Sequence, residues 1–322
     1  MFKNWETAAW KYSVYRGSFE YESQAPLAKL TTFRVGGNAA YLTLPKTSEQ
    51  LKLALEWGKD EGLPITLLGA GSNLLISDRP LPGLVICTRA LRHSEFDPAT
   101  GKVIAAAGEP WSSLAWKAAR HGLKGFEWTI GIPGTVGGAV VMNAGAHGSE
   151  TADILLAAEV ISPEGTAATL KPEDLCFRYR TSRLQGSDRI VLSATFQLSP
   201  GHAPATIKSA TASDLRQRRA TQPYHLPNCG SVFRNPPGVN AEGKAYSAGQ
   251  LIQAAGLKGY QIGQAQISTL HANFIVNLGG AKASDVLALI RHAQSVVYER
   301  NGIELETEVK MIGDFEDALK EK

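Results

Sequence analysis

The apolar and polar positions predict short strands punctuated by helices. Residues 40–44 read as a strand, and 47–61 (TSEQLKLALEWGKDE) as an amphipathic helix capped by Thr47 or Ser48. Pro64–Leu68 predicts a short buried strand running into Gly69-Ala70-Gly71-Ser72-Asn73, after which Leu74–Asp78 resumes as another strand. Further strands are expected at Leu84–Thr88 and Val103–Ala107, and a helix at 110–121. Leu156–Ser162 and Ala167–Leu170 flank Pro163-Glu164-Gly165, a hairpin signal, and Ile190–Leu198 is the next strand. Ser199–Pro204 has the composition of a linker. Beyond it come a polar, basic helix at 205–220, a loop rich in Pro and Asn, and a short helix at 247–255. The strand Asn273–Asn277, a long helix at 283–301 and a strand Leu305–Ile312 complete the pattern.

Composition narrows the class. A chain of 322 residues with 43% hydrophobic positions can bury two or three cores. A net charge of +3 gives no reason to expect nucleic-acid binding, though it favours anionic small molecules. Cys87, Cys176 and Cys229 are odd in number, far apart and unlike a metal site, which suits reduced thiols. No apolar run reaches the ~18 residues of a membrane span, and the first residues lack the apolar core of a signal peptide. A cytoplasmic location and a monomer are the expectations.

The 32 glycines concentrate in a few runs. In the first, the backbone N–H groups of Gly69–Asn73 can converge on an anion, or the turn is simply tight. The third glycine and following helix of a dinucleotide fingerprint are missing, so a Rossmann domain is the weaker reading. The second, Gly131–Gly148, holds six glycines, too many for a stable ordinary helix or strand. It reads as backbone pressed against a flat or anionic cofactor, or as a compact loop. In Phe177-Arg178-Tyr179-Arg180-Thr181-Ser182 a strand would place both arginines on one side, as a ligand clamp or as solvent-facing charges. Ser231, in CGSVFRNP, reads locally as a turn residue, and Cys229 as an inert thiol. Alternation in Leu305–Met311 sets Glu306, Glu308 and Lys310 on one face, solvated by default.

Taken together, GAGSNLL, GIPGTVGGAVVMNAGA, YRTS, CGSVFRNP, AGLKG and LETEV, in this order, resemble the UDP-N-acetylenolpyruvoylglucosamine reductases, also called UDP-N-acetylmuramate dehydrogenases. The resemblance runs from about Pro26 to Phe315. It implies an α+β fold: an FAD-binding module of the vanillyl-alcohol-oxidase type in two subdomains, plus a C-terminal substrate domain. The corresponding division is residues 25–200 for the flavin module (25–105 and 106–200), 201–316 for the substrate domain, with 1–24 peripheral and 317–322 a tail. The chain matches the shorter type, without the insertion that carries a lid tyrosine.

The implied reaction belongs to peptidoglycan synthesis. NADPH reduces non-covalently bound FAD, and the flavin then reduces the enolpyruvyl group of a UDP-sugar. Arg180, Ser231 and Glu308 match the family's catalytic residues: a carboxylate clamp, the proton donor and a third polar group. Cofactor contacts fall on Arg34, Gly69, Ala70, Gly71, Ser72, Asn73, Leu74, Gly134, Thr135, Val136, Gly137, Gly138, Asn143 and Gly145. Substrate contacts fall on Tyr179, Asn235 and His271, and Arg216, Arg218 and Arg219 form a basic helix end suited to a diphosphate. A lysine that some members carry before the serine motif is replaced near Thr221. A flavin oxidase or a non-catalytic nucleotide-binding module are the rival readings.

Overall fold

The computed structural model describes residues 12–15, 19–239 and 243–315. The first elements in chain order are β1 (Tyr12–Tyr15), β2 (Phe19–Pro26), β3 (Asn38–Thr43), α1 (Ser48–Asp60), β4 (Ile65–Leu68), β5 (Leu74–Ile76) and β6 (Leu81–Cys87). One sheet takes the order β1-β2-β3-β6-β4, antiparallel across β1, β2 and β3 and parallel across β3, β6 and β4. Thr47, not Ser48, caps α1: its Oγ1 accepts the Gln50 N–H at 3.2 Å. The buried face of α1, with Leu51, Leu55 and Trp57, packs on Leu84 and Ile86.

Residues 19–24, expected to be peripheral, are part of this sheet. Phe19 is buried and its ring centroid lies 5.8 Å from that of Trp57, while Tyr21 stacks on Trp57 at 4.5 Å. The strand does not alternate cleanly because its burial comes from one aromatic cluster over α1.

A second sheet, all antiparallel, is assembled from β7 (Ser94–Phe96), β8 (Lys102–Ala106), β11 (Leu155–Ile161), β12 (Ala167–Leu170) and β13 (Ile190–Gln197), in the order β12-β11-β13-β8-β7. The hairpin at Pro163–Gly165 forms as expected, closed by Ser162 N–H to the Thr166 carbonyl at 2.9 Å. Between β8 and β11 lie α2 (Trp111–Arg120), α3 (Val136–Met142) and the small pair β9 (Gly145–Ala146) and β10 (Ser149–Glu150). A short α4 (Pro172–Leu175) follows β12.

The helix α3 overturns the expectation that the second glycine run could not be helical. Val136 and Val140 are fully buried, each contributing about 1.5–3 kcal/mol. That outweighs the ~0.5–1 kcal/mol that Gly137 and Gly138 each cost. Gly137 sits close to the second sheet: a Cβ there would meet that of Ala107 at 3.1 Å. The helix stops at Asn143, which takes a left-handed φ of 46°.

The supposed linker is pinned: Lys124 and Ser199 exchange two backbone hydrogen bonds of 2.9 Å, and His202 N–H reaches the Gly122 carbonyl at 3.1 Å. The basic helix α5 (Pro204–Thr221) then packs on α2, with Leu215 against the second sheet's core.

The last lobe comprises α6 (Ala248–Ala254), a three-stranded sheet of β14 (Gln261–Ile262), β15 (Ala265–Ile267) and β16 (Ile275–Asn277), the long α7 (Ala283–Asn301) and β17 (Lys310–Ile312). The strand expected at Leu305–Ile312 is regular only over β17. Leu305–Val309 instead follows the 231–234 segment, with Phe233 and Thr307 in an isolated antiparallel bridge. β17 leaves its own lobe to pair in parallel with β5, Lys310 opposite Leu74. Asp78, just past β5, accepts the N–H groups of Ala283 and Ser284 at 2.7 and 3.0 Å and so caps α7. Among the described residues no helix is long and apolar enough to cross a membrane.

Candidate active site

The two glycine runs, far apart in sequence, converge. Ser72 Oγ donates to the Pro133 carbonyl at 2.9 Å, and a Cβ on Gly69 would lie 2.8 Å from Thr135 Oγ1. Gly71 has a φ of 62°, and a Cβ there would sit 2.4 Å from the Leu30 carbonyl oxygen. Gly71 and Gly137 therefore serve the fold itself, whereas Gly138 faces open space, its nearest neighbour Thr135 Oγ1 at 3.7 Å. Arg89 holds the first turn from beneath, Nη2 donating to Leu30 and Ala70 carbonyls at 2.7 and 2.8 Å. Arg34 is exposed, with a left-handed φ of 56°, on the segment that the Thr32 N–H ties to the Gly71 carbonyl at 3.1 Å.

The Tyr179–Arg180 pair forms a tight turn rather than a strand. Arg178 and Thr181 exchange two backbone hydrogen bonds of 3.0 Å, and Arg180 takes a φ of 53°. The two arginine side chains therefore do not share a strand face. Asn143 braces this turn: its Nδ2 donates to the Arg178 carbonyl at 3.0 Å and its Oδ1 accepts the Ala152 N–H at 3.0 Å. Its amide is thus engaged at both ends by the fold. Arg180 points across the lobes, Nη2 to the Gly145 carbonyl at 2.7 Å and Nε 3.3 Å from Glu308 Oε1. Tyr179 is half exposed, its ring 4.9 Å from the Arg180 guanidinium carbon.

Glu308 thus faces inward, while Glu306 is exposed. Simple alternation put both on one solvated face. It fails because the backbone is not a regular strand here, with both Glu308 and Val309 N–H groups turned to the Val232 carbonyl, at 2.8 and 3.3 Å. Burial pushes the Glu308 carboxyl above its usual range, against the pull of Arg180 and Arg234. Ser231 is half-buried next to Val232, and Cys229, two residues earlier, is buried with its thiol pushed up by desolvation and by the Glu308 charge. That thiol stays protonated, in keeping with an inert cysteine.

Of the remaining residues, Asn235 Oδ1 accepts the Ala248 N–H at 3.1 Å at the start of α6. His271 Nδ1 accepts the Asn273 N–H at 3.2 Å, and burial, with Lys258 nearby, holds its pKa below the usual value. Asn273 in turn clasps Phe233 through Nδ2 to its carbonyl (2.8 Å) and Oδ1 from its N–H (2.9 Å), fixing the segment that carries Ser231. The basic end of α5 divides: Arg216 and Arg219 are exposed, whereas Arg218 is buried under Gly131. Asn73 has a contact no local pattern announced. Its Nδ2 donates to the Glu308 carbonyl at 3.1 Å and its own carbonyl accepts Lys310 N–H at 3.0 Å, tying the first glycine turn to the carboxylate segment.

Residues 39–171 match a family model described as FAD binding domain, and residues 222–312 match the UDP-N-acetylenolpyruvoylglucosamine reductase C-terminal domain. A reductase of that name from Trichormus variabilis is 58% identical over 299 residues, covering 93% of this chain and 88% of the relative. The chain belongs to the UDP-N-acetylenolpyruvoylglucosamine reductase family. One from Synechococcus elongatus is 53% identical, covering 92% of this chain and 96% of the relative. The crystal structure of the Thermus caldophilus enzyme matches with a TM-score of 0.75 and 39% identity, over 92% of this chain and 99% of that one. The chain is accordingly an oxidoreductase with an FAD-binding domain and the family's α+β fold.

The residues present suit FAD. Thr135 Oγ1 is buried without a hydrogen-bond partner among the described residues, at the point where both glycine runs meet. A buried hydroxyl is costly unless paired, and a phosphate oxygen would satisfy it. Gly138→Ala separates ligand from fold. In a helix, alanine favours the folded chain by about 0.5–1 kcal/mol, so the apoprotein is expected to melt no lower than wild type. The methyl group enters the cradle, so bound FAD per chain should fall. A loss of apo-form melting temperature that matches the loss of FAD would return Gly138 to a structural role.

Proposed function

We propose that this chain reduces the enolpyruvyl double bond of UDP-N-acetylenolpyruvoylglucosamine to UDP-N-acetylmuramate for peptidoglycan synthesis, with NADPH as reductant and non-covalent FAD. The observation that carries the reading is the Arg180–Glu308 pair, drawn from two lobes and set between the glycine cradle and the Ser231 segment. When bound, FAD supplies two-electron chemistry, taking reducing equivalents from NADPH and passing them to the double bond. The cradle around Gly69–Leu74, Gly134–Gly138, Asn143 and Gly145, with Arg34, would hold it, largely through backbone groups.

Arg180 holds the enolpyruvyl carboxylate and stabilises the negative charge that spreads onto it. Glu308 sets the direction of that guanidinium. Ser231 Oγ delivers the proton to the carbon next to the carboxylate. Tyr179, Asn235 and His271 border the sugar-nucleotide side, and the basic end of α5 suits the diphosphate. The cofactor lobes span about residues 25–200 and the substrate lobe 201–316, with α5 packed on the cofactor side. Three free cysteines support a reducing, cytoplasmic setting. The exposed large apolar side chains, such as Leu67, Leu156, Tyr260 and Tyr298, lie on separate elements, which suits a monomer.

The test is spectroscopic. Purified protein is expected to be yellow, to release free FAD on denaturation, and to bleach with NADPH under anaerobic conditions. Its colour should return on addition of the enolpyruvyl sugar. Return of colour with oxygen alone and not with the sugar would overturn the assignment in favour of an oxidase.

A further inference from the structure

Arg234 has no part in the reaction just described, yet the fold fixes its backbone from two sides. Its backbone N–H donates to the Glu306 carbonyl at 2.9 Å, one residue from the Phe233–Thr307 bridge, and Asn273 clasps Phe233 from the other side. The Cα of Arg234 is therefore fixed relative to both Ser231 and Glu308. From there its side chain crosses to the other lobe, where Nη2 lies 3.4 Å from the Arg180 carbonyl oxygen. That carbonyl also accepts Gln185 Nε2 at 2.9 Å. The residue so held has a left-handed φ of 53°, a conformation that a non-glycine residue keeps only when its surroundings impose it. Arg234 Nε is buried without a hydrogen-bond partner among the described residues.

Charge gives the placement a purpose. The groups acting on Glu308 are Arg180 on the 178–181 turn, Arg234 on the 231–234 segment, Lys310 on its own segment and the neutral Cys229 thiol. Arg180 makes the direct contact at 3.3 Å, and Arg234 also favours the charged carboxylate. Two guanidiniums against one carboxylate leave a net positive charge, which suits a site that must accept a second carboxylate. If Arg180 alone neutralised Glu308, its guanidinium would be committed to that pair and poorly free to bind a ligand.

We infer that Arg234 is a positioning residue: it holds the Arg180 turn against the Ser231–Glu308 segment and shares the Glu308 charge, so that Arg180 can engage the substrate carboxylate. This rests on the roles given above to Arg180 and Glu308.

The experiment compares Arg234→Met, which keeps bulk without charge, with Arg234→Lys, which keeps charge without the fork. Flavin content and anaerobic reduction by NADPH establish that each holoenzyme is intact. Reoxidation by the enolpyruvyl sugar is then followed across pH, and Glu308→Gln identifies which limb of the profile belongs to Glu308. Arg234→Met is expected to slow reoxidation by about 10- to 10²-fold, the scale of a misplaced catalytic group. The Glu308 limb should move to higher pH, because a cation that favoured the carboxylate is gone. Arg234→Lys should restore the limb to its wild-type position while recovering only part of the rate. If the limb stays in place in Arg234→Met, or if Lys and Met behave alike, the inference is overturned. Should Arg234→Met lose its flavin, an unmoved profile and full rate in Arg234→Lys and Arg234→Gln would equally defeat it. If Glu308→Gln itself leaves reoxidation unchanged, the fault lies instead with the assignment of Glu308.

Discussion

Replacing Ser231 with alanine is expected to leave flavin reduction by NADPH within a few-fold of normal while slowing reoxidation by the enolpyruvyl sugar by ~10²–10⁴. The hydroxyl is called on only once reducing equivalents have reached the substrate, so the first half-reaction does not need it. Ser231 is half-buried beside Val232, whose backbone is fixed by Glu308 and Asn273, so removing one oxygen should not move its neighbours. Ser231→Cys, with a donor in similar space, should recover part of the loss. Stopped-flow absorbance of the bound flavin separates the two steps. An alanine variant slowed with NADPH but normal with the sugar would take the proton-donor role away from Ser231.

Glu308→Gln is the second large effect. The substitution keeps shape but loses the charge that directs Arg180 at 3.3 Å, and reoxidation by the sugar should fall by about 10²–10³-fold, as for loss of one oxyanion-stabilising group. Glu306→Gln, at an exposed position, should behave as wild type. Stability should move the other way. Because burial raises the Glu308 pKa, the wild-type carboxyl contributes most to stability below its unfolded value of 4.5, and that contribution is lost as pH rises through its folded value. Near neutral pH the uncharged glutamine is therefore expected to melt no lower than wild type, any advantage shrinking in acid. A variant that is both slow and markedly less stable at neutral pH would indicate a structural role instead.

The glycine runs were legible because glycine is a signal in itself: Gly71 needs its positive φ and Gly137 its close approach to Ala107. Their convergence was not, since Ser72 and Thr135 are unremarkable until Pro133 and Gly69 are brought to them by the fold. Local rules failed at α3, where burying Val136 and Val140 outweighs the glycine penalty, and at β2, where burial comes from an aromatic cluster rather than alternation. At Glu306 and Glu308 the charge pattern alone could not choose; the choice came from the family resemblance, and the turn of the backbone toward Val232 agrees with it. Arg234, Asn273 and the bridging role of Asn73 were hidden for a common reason. Each acts through partners tens to hundreds of residues away, which no window along the chain samples.

The parallel pairing of β5 with β17, and the Asn73–Glu308 contact beside it, also bear on the order of assembly. Both join residues separated by more than two hundred positions, and contacts of that separation form late because the closure entropy must be met before they yield anything. The two large sheets rely on nearer partners. A folding chain should therefore assemble the two large sheets before β5 and the first glycine turn gain their partners in the 308–312 segment. The cofactor cradle and the Glu308 carboxylate are then completed in one late step, so neither half-site matures without the other.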